Sequence, residues 1–127
     1  MRPVSITNTI SLFFIHDHFN YDQIIATLNK QGFDPLTGNT VIQELYKKQD
    51  LLPLPRNGNY IIGLTTKKQM QQVPYPCGTI LYYYPIMYEV TRGPYTGYHL
   101  GESCISESGC IDNFINCYVI AVKNPLP

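Results

Sequence analysis

The chain has 127 residues, and its nine Lys and Arg are balanced by nine Asp and Glu. A neutral chain without a basic stripe lacks the electrostatic footprint of a nucleic-acid binder and of a polybasic membrane anchor. Hydrophobic residues make up 44% and charged residues 14%, the balance of a folded chain rather than a disordered one.

No apolar run approaches the roughly 20 residues that a membrane span needs. The N-terminus carries one Arg, then the polar set Ser5, Thr7, Asn8 and Thr9, before a short apolar stretch at Ile10–Ile15. That stretch is too short and interrupted for a signal peptide, so a cytoplasmic site of action is expected. Cys77, Cys104, Cys110 and Cys117 all lie in the second half, and none forms a CxxC pair. Without a secretory signal they are expected to be free thiols rather than disulfides.

In chain order, Ile10–Ile15 is β-branched and aromatic and predicts a strand. A helix is predicted over residues 21–31. Asn20 is a good N-cap, Gln23 stands at the capping-box spacing, and Phe19 with Ile24 suits a hydrophobic staple. Ile24, Ile25 and Leu28 share one face, and Gly32 offers a left-handed stop. Residues 33–39, Phe-Asp-Pro-Leu-Thr-Gly-Asn, read as a turn-rich loop. A second short helix is expected over 41–48, followed by an extended, proline-bearing stretch over 51–55.

Past Arg56 the texture changes. Asn57-Gly58 signals a turn, 60–66 a strand and 67–72 a polar connection. Eight of the eleven tyrosines fall between Tyr75 and Tyr118. Residues 79–91 predict a long strand broken at Pro85, which belongs at a sheet edge or a bulge. Residues 116–122 predict a buried strand. The fold class expected is α+β, with domains at 1–57 and 58–127: a small hairpin, helix and loop module, then a mainly β, Tyr-rich segment packing on or extending it.

Several residues of the first half carry a resemblance. Pro3-Val4-Ser5-Ile6, then a strand, then His18-Phe19-Asn20-Tyr21-Asp22 opening the helix, Phe33–Thr37 as a second loop, and Leu51-Leu52-Pro53 are together similar to the U-box family. Its members are RING-like ubiquitin ligases that use hydrogen bonds and packing in place of zinc. The similarity covers residues 1–57, and its most specific piece is 33–37. A RING would need about eight Cys or His ligands. Residues 1–76 hold no Cys and only His16 and His18, so neither metal nor cofactor is expected.

The resemblance implies a ligase that docks a ubiquitin-conjugating enzyme charged with ubiquitin and orients it, with no covalent intermediate. It implies that Val4 and Ile6 in the first loop, and Pro35 and Leu36 in the second, grip that enzyme as an adjacent, at least partly exposed apolar patch. Divergent members occur among bacterial effectors injected into eukaryotic cells, which would place the chain in a host cytosol acting on an unknown substrate protein. Three features depart from the pattern. The spacing from Tyr21 to Pro35 is about one turn short, and 37–53 is long. Gly38 stands where an Arg commonly bridges ubiquitin and the conjugating enzyme. Loss of such a charged hydrogen bond, about 1.5–3 kcal/mol, corresponds to about ten- to a hundredfold in rate. Arg56 is the candidate substitute.

Two other classes remain open. One is a non-catalytic protein-binding adaptor that keeps the fold while Gly38 marks lost activity. In the ligase reading, the strand alternation that sets Tyr82 and Tyr84 on one face and Tyr83 on the other would belong to a substrate- or membrane-target-binding element, for which Tyr is well suited, or to a buttress for the small module. The other open class is a thiol enzyme pairing a cysteine with His99. Against that, Cys117 lies in an apolar strand, and Cys104 and Cys110 have Glu102 and Glu107 near them in sequence, which disfavours a thiolate.

Overall fold

Strands make up most of the regular structure, and one sheet runs through both halves of the chain. The computed structural model describes residues 2–51, 60–106 and 114–124. In order these form β1 (Pro3–Ser5), β2 (Ile10–Ile15), α1 (Tyr21–Lys30), β3 (Phe33–Asp34) and α2 (Gly38–Lys47), then a 3-10 turn at Gln49–Leu51. There follow β4 (Tyr60–Ile62), β5 (Gln71–Pro74), β6 (Ile80–Arg92), β7 (Tyr95–Ser106) and β8 (Cys117–Lys123). The fold is mixed α+β, mostly strands with two helices.

The sheet runs β1-β2-β8-β4-β6-β7. β3 fills the space beside the end of β8, and β5 the space beside the start of β6. Only β4 with β8 is parallel; the other pairs are antiparallel. β8 is the centre of the sheet because Cys117–Ala121 are all buried. A strand covered on both faces reads as a continuous apolar run, and Cys-Tyr-Val-Ile-Ala is one.

Alternation along the strands sorts the core into two layers. Phe13, Ile15, Ile62, Tyr84, Ile86, Cys117, Val119 and Ala121 face α1 and its Ile24 and Leu28. Ile10, Leu12, Ile61, Met87, Tyr118 and Ile120 face α2 and its Ile42 and Leu45. One helix therefore lies on each side of the sheet. Each buried aliphatic side chain contributes about 1.5–3 kcal/mol by leaving water, so neither layer is dispensable.

The helix expected over 21–31 is α1. Its capping box is complete: the Gln23 amide donates to Asn20 Oδ1 at 2.8 Å, and the Asn20 amide to Gln23 Oε1 at 2.9 Å. Gly32 takes φ +84° at its stop. The Tyr21 hydroxyl donates to the Thr65 carbonyl at 2.6 Å, and Lys67 Nζ sits 5.5 Å from the Tyr21 ring and 5.8 Å from that of Tyr82. These contacts tie the helix start to the connection after β4.

Several expectations are corrected. Residues 33–34 are not loop but β3, paired with Val122 and Lys123 of β8. α2 begins at Gly38, three residues before the expected start. β4 ends at Ile62: Gly63 still gives its amide to the Pro85 carbonyl at 3.0 Å, but Pro85 has no N–H to return the bond. The supposed connection 67–72 already contains the start of β5.

Pro85 lies in an internal strand, flanked by β7 on one side and by β4 and β5 on the other. A residue in a strand directs its N–H and C=O to the same side, so the missing N–H of Pro85 faces β4 and β5. It falls in the gap between Gln71, paired with Tyr83, and Ile62, paired with Ile86. The bond it cannot make is the return to the Gly63 carbonyl, at the end of the β4 pairing where Gly63 donates to the Pro85 carbonyl.

The supposed boundary at 57/58 lies outside the described residues. On either side of it, β2 pairs with β8 along six residues, Ile10↔Val122 to Ile15↔Cys117. The two stretches share one sheet and both core layers, and neither has a core of its own.

Candidate functional site

The four residues implied to grip a conjugating enzyme do not share one environment. Val4 lies in β1, opposite Leu12, and Val4 and Ile6 pack on the α2-side core. Leu36 packs on the α1-side core. Pro35 is buried rather than exposed. The segment that carries it is pinned by β3 and by the Asp34 carboxylate, which accepts the Leu36 amide at 2.9 Å. Val4, Ile6 and Leu36 are partly exposed as expected, but Pro35 is not, and Val4 and Ile6 pack on a different layer from Leu36.

Gly38 has φ +65° and donates its amide to the Leu64 carbonyl at 2.8 Å. Its left-handed backbone explains a glycine at that point in terms of the fold. Arg56, the other candidate ubiquitin contact, lies outside the described residues.

Of the pairings with His99, that with Cys104 is not formed. His99 and Cys104 are five residues apart on β7, hence on opposite faces and about 17 Å apart by strand rise. The Cys117 thiol, 5% exposed, is pushed up to about 12 by burial, which suits an inert core group. Cys77 is exposed, and hydrogen bonds from Thr79 hold its thiol below the ordinary range. The described cysteines, Cys77, Cys104 and Cys117, are free thiols; Cys110 and Glu107 lie outside the described residues. No group of three or more His, Cys, Asp or Glu among the described residues could hold a metal.

The structure instead places a groove of about 360 Å³ on the α1 side of the sheet, at the β4-β6-β7 end. Its floor is Ile62, Tyr84, Ile86 and Cys117, with Phe114, Glu102 and Ser103 on its walls. Tyr60 and Ile115 rim it, 51% and 39% exposed. An exposed Tyr and an exposed Ile bordering one apolar recess are unlike the scattered single hydrophobes of an ordinary surface.

Local chemistry holds these side chains in place. Asn116 has φ +55° and gives its amide to the Ile15 carbonyl at 2.7 Å. Asn tolerates this left-handed state. The chain turns there, leaving Ile115 outward while Phe114 is buried and Cys117 starts β8. Phe114 exchanges amide and carbonyl with Phe19 (2.7 and 3.2 Å), and its ring lies 5.8 Å from that of Tyr84.

On the other flank the Tyr60 ring meets Tyr88 edge-on at 6.1 Å, and Tyr88 meets His99 at 6.2 Å. Gly101 makes room for Tyr88, since a Cβ there would stand 2.9 Å from the ring. The result is a row of rings running from the groove rim across β4, β6 and β7.

The expected split of the tyrosine run is observed: Tyr82 and Tyr84 join the α1-side layer, and Tyr83 faces the other way. Tyr60, Phe114 and Ile115 were not legible as site residues. They are isolated in sequence, and a non-glycine positive φ at Asn116 breaks the periodicity that would have announced Ile115.

No helix among the described residues is long and apolar enough to cross a membrane. No protein-family model, curated protein or solved structure matches this chain.

Proposed function

We propose that the protein is a non-catalytic binding module that recognises a protein partner by receiving one or two of its apolar side chains in the Tyr60–Ile115 groove. The observation that carries this reading is the open recess itself, with an aromatic and an aliphatic side chain left exposed at its rim. Tyr and apolar residues surrounding a pocket are the usual composition of an interface centre, where a few anchors carry most of the affinity. Rigid support matters as much as composition. The rim ring is backed by Tyr88, and the Phe114 wall is pinned to Phe19, so little ordering remains to be done on binding.

Docking of a conjugating enzyme through Val4, Ile6, Pro35 and Leu36 would require these residues to form one surface, and their packing against two layers gives it no support. The test is selection of linear peptides from a random phage library on the folded protein, followed by fluorescence polarisation. Selected peptides carrying an aromatic or large aliphatic anchor should bind Tyr60→Ala and Ile115→Ser at least tenfold more weakly. Equal binding to the wild type and both variants would remove the groove from the reading. Ubiquitin-chain formation with any member of a conjugating-enzyme panel would replace the binding-module reading with the ligase one.

A further inference from the structure

A second recess, of about 370 Å³, lies on the opposite side of the sheet beside the start of α2. Its chemistry is different. Asn39 and Gln43 stand one turn apart on the same face of α2, and Gln71 opens β5 opposite Tyr83. Tyr83 with Pro85 forms the floor, and Leu100 and Glu102 of β7 form the far wall. The register places these strand side chains together. Glu102 pairs with Pro85, and Leu100 with Met87, which faces the α2-side core.

Three properties narrow the ligand. First, Asn39, Gln43 and Gln71 are exposed, and their side-chain amides have no hydrogen-bond partner among the described residues. Each carboxamide offers two donors and one acceptor, so the recess presents mixed donor and acceptor groups, as a polyhydroxylated ligand needs. Second, Glu102 is the only acidic or basic side chain on the lining among the described residues. Without Lys, Arg or His, phosphates and carboxylates meet a single repelling carboxylate, while that carboxylate accepts from hydroxyl groups. Third, Leu100, 40% exposed, and the Tyr83 ring supply apolar surface for the C–H face of a sugar ring. A hydrogen bond with Tyr75 raises the Tyr83 phenol above its ordinary range and helps to hold that ring. The volume is at the small end of the roughly 300–1,000 Å³ that ligand pockets span.

We infer that this recess is a binding site for a neutral carbohydrate. Asn39, Gln43, Gln71 and Glu102 read ring hydroxyls, and Tyr83 with Leu100 takes the apolar face. The site opens on the other side of the sheet from the protein-recognition groove, and Tyr84 and Glu102 line both recesses.

Saturation-transfer NMR on the full chain tests it, with maltotetraose, cellotetraose, chitotetraose and mannotetraose at millimolar concentration, and with adenosine and glucose 1-phosphate as competing chemistries. At least one tetrasaccharide should show transfer, reduced fivefold or more in the Gln43→Ala/Gln71→Ala double variant. Lys30→Ala, across the sheet, should leave it unchanged. Both substituted glutamines are exposed, and a circular dichroism melt confirms that the variant folds. Absence of transfer from all four sugars, transfer that survives the double variant, or stronger transfer from adenosine or glucose 1-phosphate would each overturn the assignment.

Discussion

The Gly38 amide donates to the Leu64 carbonyl at 2.8 Å, fastening the first residue of α2 to the chain just beyond β4. The approach is close on both sides, because a Cβ on Gly63 would stand 3.1 Å from the Gly38 carbonyl oxygen. Gly38 holds this contact at φ +65°. Gly38→Arg, which restores the residue common in the resembling family, should therefore destabilise the fold by about 1–2 kcal/mol, the cost of a side chain in the left-handed region. Urea unfolding of the two proteins measures it, and unchanged stability would show that the backbone there is not under this constraint.

The start of α1 is a second quantitative case. Asn20 accepts one amide through its side chain, and Gln23 accepts the Asn20 amide in return. Asn20→Ala should cost about 1 kcal/mol, and Gln23→Ala a comparable amount, because each variant loses one of the two reciprocal bonds. A double variant no worse than Asn20→Ala alone would show that the two bonds act as one unit.

These two sites show what was legible in the sequence. α1 is specified within a dozen consecutive residues by a cap, a staple, an apolar stripe and a stop, all local. β2 and β8 are recognisable by composition for the same reason. Their pairing is not, because nothing in Ile10–Ile15 names a partner more than a hundred residues later. Nor does the turn chemistry of Asp34-Pro35 reveal that β3 docks on β8 and buries the proline. The four-residue patch failed at this step: adjacency in a loop was legible, but the side of the sheet was set by long-range register. The alternation of Tyr82, Tyr83 and Tyr84 succeeded because it depends on strand geometry alone.

Thr37 provides a test in the opposite direction. It precedes α2 but makes no side-chain cap bond, and its Oγ1 is buried without a partner among the described residues. A buried hydroxyl left unpaired is a cost rather than a gain. Thr37→Val, which keeps the shape and removes the oxygen, should leave stability unchanged or raise it by up to about 1 kcal/mol. A loss larger than that in urea unfolding would reveal a hydrogen bond in solution.

Thiol reactivity should follow environment. The thiolate is the nucleophile, so the exposed Cys77, with its thiol held low by Thr79, should be alkylated by iodoacetamide first. Cys117 should remain unmodified in the native protein at pH 8. Peptide mass mapping over a time course resolves the sites. Labelling of Cys117 at the rate of Cys77 would contradict its burial.

Burial of Cys117 also ties stability to alkaline pH. Its thiol rises from 9 to about 12 because the charged form is desolvated in the core. A group whose value is raised by folding contributes stability that is complete below its unfolded value and is lost as pH climbs toward the folded one. The unfolded thiol ionises near pH 9 while the folded one cannot follow until about pH 12, so the window of loss is pH 9–12. Each pH unit inside it is worth about 1.4 kcal/mol, which amounts to about 2 kcal/mol by pH 10.5. Tyrosines and lysines titrate in the same range and affect both proteins alike, so the comparison to make is with Cys117→Val, which has no proton to lose. Between pH 8 and pH 10.5 the wild type should lose about 2 kcal/mol more than Cys117→Val in urea unfolding. Parallel curves for the two proteins would mean that the thiol ionises as readily folded as unfolded, and that water reaches the floor of the groove.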